Sequence, residues 1–172
     1  MSSKKDYSGK IIKILKQKPA TSIEEIHGVF DDVNKYSVTR SLKGLKEAGL
    51  IESIPSAHKD FARLTKEGKK KVYSLELDSH TGLINTVWDG FWRIILLDLP
   101  ESRKSERESL RYLLKKANFV CLKNSAWISP YPYEHLFSNI KKDLGLTTEM
   151  IIFTTNNIDE VSQKIFFDGF NK

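Results

Sequence analysis

Residues 34–51 constrain this chain more than any other stretch of it. Val38, Leu42 and Leu45 recur at i, i+4 and i+7, the spacing that lays one apolar stripe along a helix. Lys35, Thr39, Arg40, Lys43 and Lys46 fall on the remaining faces. Gly49 follows, at the position where helices end in the left-handed conformation, and Leu50-Ile51-Glu52-Ser53-Ile54 then reads as a strand. The stretch predicts a helix with an apolar back and a cationic, hydroxyl-bearing front. A front of this kind can lie in a DNA groove, with side chains on phosphates and base edges. A merely solvated lysine face would carry the same charge, so the flanking sequence has to decide.

Upstream, Ile11, Ile14 and Leu15 mark a short amphipathic helix closed by Pro19. Thr21 with Glu24, and Ser22 with Glu25, are two overlapping capping boxes, opening a second helix with Ile23, Ile26 and Phe30 inward. Downstream, residues 55–60 read as a turn between two short strands, the second being Phe61-Ala62-Arg63-Leu64. Thr65 can cap a further helix through Tyr73. The run Val-x-x-Ser-Leu-x-x-Leu-x-x-x-Gly-Leu-Ile, and then Leu-Thr-x-x-Gly, resembles the winged helix-turn-helix superfamily across residues 7–77. Residues 1–77 are therefore expected to form a DNA-binding domain.

Charge points the same way. Residues 1–75 hold 16 Lys+Arg against 9 Asp+Glu, a balance of +7, whereas residues 76–172 hold 12 against 13, a balance of −1. Phosphate neutralisation needs cations gathered on one module, and here they are. At 172 residues, 40% hydrophobic and 29% charged, the composition is that of a globular protein of one or two domains. No apolar run approaches the ~20 residues of a membrane span, and the first residues lack the apolar segment of a signal peptide. The expectation is a cytoplasmic protein that makes no contact with membranes. Cys121 stands alone in an apolar strand, so disulfide and cysteine–zinc frameworks are excluded and a buried thiol is expected. His27, His58, His80 and His135 show no metal-binding spacing.

The second half changes character. Residues 78–90 read as a connector, and residues 91–172 as a domain with a C-terminal tail. Phe91 to Leu99 contain a central-strand run, and Ser102 opens a helix with Leu110, Leu113 and Leu114 inward. Two strands flank a Lys123-Asn124 turn. A helix from Tyr133 carries Leu136, Phe137, Ile140 and Leu144, and Met150-Ile151-Ile152-Phe153-Thr154 is a last strand. This βαββαβ order is that of the ferredoxin-like fold. The expected class is α+β, a winged helix-turn-helix followed by a ferredoxin-like domain.

Trp88-Asp89-Gly90-x-Trp92-Arg93, Asp98-Leu99-Pro100-Glu101-Ser102 and Trp127-Ile128-Ser129-Pro130 resemble the middle domain of PaaX-type transcriptional regulators. That domain is itself similar to the ferredoxin-fold nuclease subunit of CRISPR spacer acquisition, which works as a homodimer. The resemblance implies a homodimeric repressor of a catabolic operon, released by a small acyl-CoA-type effector. Only residues 156–172 follow the last strand, so the family's third, C-terminal domain is expected to be missing. The likeness to the CRISPR subunit implies an alternative. Asp98 matches its metal-binding aspartate, and two such residues across a dimer could hold Mg²⁺ for phosphodiester cleavage; a dimeric adaptor of spacer acquisition is the non-catalytic version. An aspartate between strand and helix is more often a turn residue, and Leu97 stands where that family has tyrosine. The reading is therefore non-enzymatic and cofactor-free, with Mg²⁺ only under the alternative.

In the preferred reading a homodimer binds palindromic double-stranded DNA. Tyr36, Ser37, Thr39 and Arg40 approach base edges and nearby phosphates; Lys43, Lys59 and Arg63 hold the backbone, Lys35 opens the same DNA-binding helix, and Lys4 and Lys5 form a loose arm. Phe166, Phe167 and Phe170 need burial, and a tail swapped between protomers is the expectation.

Overall fold

Val38, Leu42 and Leu45 are 0%, 7% and 3% exposed, and the helix that carries them is the centre of the first of two cores. The structure is a computed structural model describing residues 6–30, 35–56, 58–80 and 88–170. The chain divides into two units, Met1–Leu75 and Glu76–Lys172.

The first unit runs α1 (Ser8–Lys16), β1 (Thr21–Ser22), α2 (Ile23–Gly28), α3 (Lys35–Glu47), β2 (Ile51–Ile54) and β3 (Phe61–Leu64), then enters α4 (Lys66–His80), which crosses the boundary. Its sheet has the order β1-β3-β2, both pairings antiparallel. Ile11, Ile12 and Leu15 of α1, Ile26 of α2 and Val72 of α4 join the α3 stripe in one apolar cluster. Ser22 caps α2 by accepting a bond from the Glu25 N–H at 3.1 Å, as its capping box predicts. The Thr21 box does not form. Thr21 is drawn into β1 opposite Ala62, where it is 1% exposed, because pairing with β3 takes its backbone before α2 begins.

The α3–β2 turn shows why the Gly-Leu-Ile and Leu-Thr-x-x-Gly runs exist. Gly49 adopts φ +68°, a left-handed geometry that costs a side-chain-bearing residue stability. Thr65 Oγ1 donates to Gly49 O at 2.7 Å and accepts from Gly68 N–H at 3.1 Å, while Thr65 N–H bonds Leu50 O at 3.1 Å. This brings α4 so close that a Cβ on Gly68 would stand 2.0 Å from Leu50 O. Gly68→Ala is therefore expected to destabilise the first unit by at least ~2 kcal/mol, since a backbone carbonyl cannot swing aside. Far-UV circular dichroism during thermal unfolding checks this; an unchanged midpoint would contradict it.

The second unit contains β4 (Trp92–Leu97), a 3-10 turn (Glu101–Arg103), α5 (Lys104–Lys116), β5 (Val120–Lys123), β6 (Ala126–Ser129), α6 (Glu134–Leu144), β7 (Met150–Thr155) and α7 (Glu160–Phe170). The sheet order is β5-β6-β4-β7 with every pairing antiparallel, which is the ferredoxin-like arrangement. Alternation along β4 sets Arg93, Ile95 and Leu97 on one face and Trp92, Ile94 and Leu96 on the other. The first face belongs to the core with buried Leu110, Leu113, Leu114, Phe137, Ile140 and Leu144. Ser102 lies in the 3-10 turn rather than opening the helix, and Leu136 is only half-buried.

Two expectations are corrected here. Cys121 is exposed: along the outer strand β5 it alternates with Val120 and Leu122, which pack beside Phe166, and it shares the exposed positions with Lys123. The tail finds its burial without a second protomer: it forms α7 and lies on its own sheet, where Phe166 is 2% exposed with its ring 5.2 Å from that of Trp92.

Arg93 is the hub of this unit. It is 4% exposed and forks onto Asp89, with both nitrogen–oxygen distances 2.6 Å. It also donates to Glu134 Oε2 at 2.9 Å and to the carbonyls of Phe91 and Pro130 at 2.9 and 3.1 Å. The Trp88-to-Arg93 motif is thus a clasp: Trp88 Nε1–H bonds Phe91 O at 3.0 Å, and its ring packs 5.2 Å from Trp92. The guanidinium holds the Asp89 carboxyl at about 2, below its ordinary 3.8. The Thr147 backbone N–H, helped by Arg103, holds Glu149 at about 2 rather than 4.5. Both folded values lie below the unfolded ones, so their stabilisation is complete above pH ~4.5 and lost as pH falls towards ~2. All three tryptophans, Trp88, Trp92 and Trp127, lie in this unit. Tryptophan fluorescence should show a melting temperature steady above pH ~5 and falling below it, less steeply in Glu149→Gln.

Candidate nucleic-acid interface

Burying Val38, Ser41, Leu42 and Leu45 leaves α3 one way to face. Lys35, Tyr36, Thr39, Arg40, Lys43 and Lys46 are exposed, Tyr36 by 71%, and Ser37 is half-buried. Tyr36, Arg40 and Lys43 follow one another at i, i+4 and i+7, so they share a stripe. The hairpin β2–β3 contributes Lys59 and Arg63, both exposed. Asn34, Lys4 and Lys5 lie outside the described residues.

Several supports of this surface carry no strong sequence signal. Ser41 Oγ accepts from the Tyr7 N–H at 3.2 Å and donates to Asp6 at 3.4 Å, tying the start of α1 to the back of α3. The Ser8 side chain and backbone, with Ser41 and the charge of Arg40 adding to them, hold the Asp6 carboxyl below its usual range. Thr39 Oγ1 donates to Lys35 O at 3.0 Å and sits 3.3 Å from His27 Nε2. These contacts fix the α3 hydroxyl before any ligand arrives.

The two hairpin cations are not idle in the free protein. Lys59 Nζ pairs with Glu24 Oε2 at 2.8 Å, and Arg63 Nε with Glu52 Oε1 at 2.7 Å. Arg63 and Glu52 are direct cross-strand partners in the β2–β3 register, which explains that pair. Lys43 lies 3.8 Å from Glu47 one turn on. The contact with Glu24 raises the Lys59 pKa and keeps the ammonium charged. Glu24 reads in the sequence as a capping residue, so only the folded chain reveals its second role.

Asp98 is exposed immediately after β4, with its N–H bonded to Glu149 O at 2.8 Å. Arg107 takes Glu101 at 2.8 Å and feels the charge of Asp98, while Arg103 takes Glu149 at 2.5 Å. Among the described residues no cluster of three or more His, Cys, Asp or Glu could hold a metal ion. A divalent cation needs several oxygen ligands, and the carboxylates near Asp98 are committed to arginines. The described residues of a single chain do not assemble a ligand set for such an ion around Asp98, and no chemical step through one follows from them.

Residues 85–165 match the family model of the PaaX protein central Cas2-like domain. The second unit is thus similar to that domain in sequence, and its sheet order is the ferredoxin-like one. The match supports a PaaX-type protein and is consistent with a transcriptional regulator. Among curated proteins, none matches the chain. Among the described residues, no helix is long and apolar enough to cross a membrane.

Proposed function

We propose that the chain is a cytoplasmic, non-enzymatic transcriptional regulator that binds duplex DNA as a homodimer through a winged helix in its first unit. The observation that carries this reading is the exposed stripe of Tyr36, Arg40 and Lys43 on α3, flanked by Lys35 and Thr39 and accompanied by the Lys59–Arg63 hairpin. The element order α1-β1-α2-α3-β2-β3 and the sheet order β1-β3-β2 support the winged-helix assignment. In that assignment α3 enters the major groove and the hairpin is the wing on the phosphate backbone.

The +7 balance of residues 1–75 supplies the long-range attraction, and α3 supplies side chains at base-edge distance. Lys59 and Arg63 would exchange Glu24 and Glu52 for phosphate oxygens on binding, which lowers the net gain from each. A repressor acting on a palindrome needs two such heads, hence the homodimer. A small-molecule effector would act on the spacing of the heads.

The test is an electrophoretic shift with genomic fragments from the chain's own locus, run in EDTA. Binding without cleavage, weakening steeply as salt rises, is the expected result. A protein indifferent to every duplex at low ionic strength defeats the reading. Cleavage that appears with Mg²⁺ and disappears in Asp98→Ala would put the nuclease in its place.

A further inference from the structure

A threonine hydroxyl that meets a base edge can read either sign of it, because the group carries one proton and two lone pairs. In Thr39 that freedom is spent before any ligand arrives. The residue stands exposed on α3, one turn from both Tyr36 and Lys43. Its proton goes to Lys35 O, 3.0 Å away in the preceding turn of the same helix. Its oxygen also lies 3.3 Å from Nε2 of His27, a half-buried residue of α2. With the hydroxyl proton already placed, the proton of this second contact has to come from the imidazole. The other ring nitrogen points the same way: His27 Nδ1 is buried and meets no hydrogen-bond partner among the described residues. A buried N–H without an acceptor is the rarer kind of orphan. The neutral ring therefore keeps its proton on Nε2, directed at Thr39. What Thr39 has left for a ligand is one lone pair and no proton.

We infer that Thr39 reads base edges in one direction only, as an acceptor that selects an exocyclic amine, and that His27 is the residue that positions it to do so. The bases it takes are adenine, through N6, and cytosine, through N4. Guanine O6 and thymine O4 would set a lone pair against a lone pair unless the bond to Lys35 O were broken first. Phosphate oxygens are turned away for the same reason. Thr39 thus bears on the choice of sequence, and the general hold on the backbone is left to the lysines and the hairpin. The contribution of His27 is orientation. A helical threonine divides its time between two side-chain rotamers. The imidazole N–H favours the one that brings Oγ1 to Lys35 O, and accepting that N–H makes the hydroxyl a stronger donor to the carbonyl. Without the ring, Thr39 would also present its methyl group, which carries no preference for an amine.

This inference rests on the proposed function, since it names the bases that the α3 face would choose. Selection from random duplexes with the wild type supplies a preferred site. The same selection with Thr39→Val, which keeps shape and methyl group but removes the hydroxyl, marks the position that Thr39 reads. That position should hold adenine or cytosine. Fluorescence anisotropy then uses the selected duplex with that one exocyclic amine deleted, purine for adenine or 2-pyrimidinone for cytosine. Losing the amine should weaken the wild type and Thr39→Ser about 5-fold, the worth of one neutral hydrogen bond, and leave Thr39→Val unmoved. His27→Leu should shrink the effect of the deletion, and His27→Gln, whose amide can donate in place of the ring, should restore it. A residue that merely supported the helix would change the affinity for both duplexes alike. Circular dichroism confirms that each variant is folded, and if His27→Leu unfolds, the comparison of Thr39→Val with the wild type decides. A wild type indifferent to the deletion, a Thr39→Val variant equally sensitive to it, or a marked position holding guanine or thymine overturns this inference alone. A chain that binds no duplex at all takes the proposed function down with it.

Discussion

Replacing Arg93 by leucine should lower the melting temperature of the second unit by roughly 12–24 °C, read from its tryptophans alone. The side chain is almost wholly buried and bonds four residues: Asp89 and the Phe91 carbonyl before β4, the Pro130 carbonyl after β6, and Glu134 at the start of α6. Leucine keeps much of the volume but strips the donors from both carboxylates and both carbonyls. Removing one partner of a buried ion pair costs ~3–5 kcal/mol. Asp89 and Glu134 retain some access to water, which favours the lower end, about 3 kcal/mol. In a unit of this size each kcal/mol moves the midpoint by about 4–8 °C. Arg93→Lys should recover only part of the loss, because an ammonium cannot fork onto Asp89 while bonding Glu134. A midpoint within a degree or two of wild type would mean that the clasp is ornamental.

The second large effect concerns DNA. Arg40→Ala should cost ~1–3 kcal/mol against a cognate duplex and much less against unrelated sequences. Lys35→Ala with Lys43→Ala should weaken all sequences alike and shallow the salt dependence by about two units in the log–log slope. The reason lies in position. Arg40 sits mid-stripe between Tyr36 and Lys43, on a helix whose back is locked into the core. Fluorescence anisotropy at several salt concentrations separates the two outcomes. Glu24→Gln provides a control of opposite sign, since freeing Lys59 from its carboxylate should tighten non-specific binding. Affinity unmoved by Arg40→Ala would take base reading away from this face.

Much of this architecture was legible in the residues. The α3 stripe, the Gly49 terminus, the Ser22 cap and the βαββαβ order are local patterns, set by helical or strand periodicity and by short-range caps, so they survive without knowledge of the fold. What failed involved partners distant in the chain. Thr21 scans as a cap until β3 claims its backbone. Cys121 scans as buried until β5 proves to be the sheet's outer strand, with Val120 and Leu122 as the residues that pack beside Phe166. The phenylalanine tail scans as needing a second protomer until Trp92 is seen to receive Phe166.

The candidate interface divides in the same way. The sequence by itself determined which residues of α3 face outward, because three buried aliphatic residues at helical spacing leave the rest no other direction. It also determined that the cations gather in the first unit. Only the tertiary structure decided that Lys59 and Arg63 rest on Glu24 and Glu52, that Ser41 anchors the chain entry, and that Arg93 is a buried hub rather than a surface charge. An ion pair depends on where two distant backbones bring their side chains, and periodicity along one segment carries no information about that.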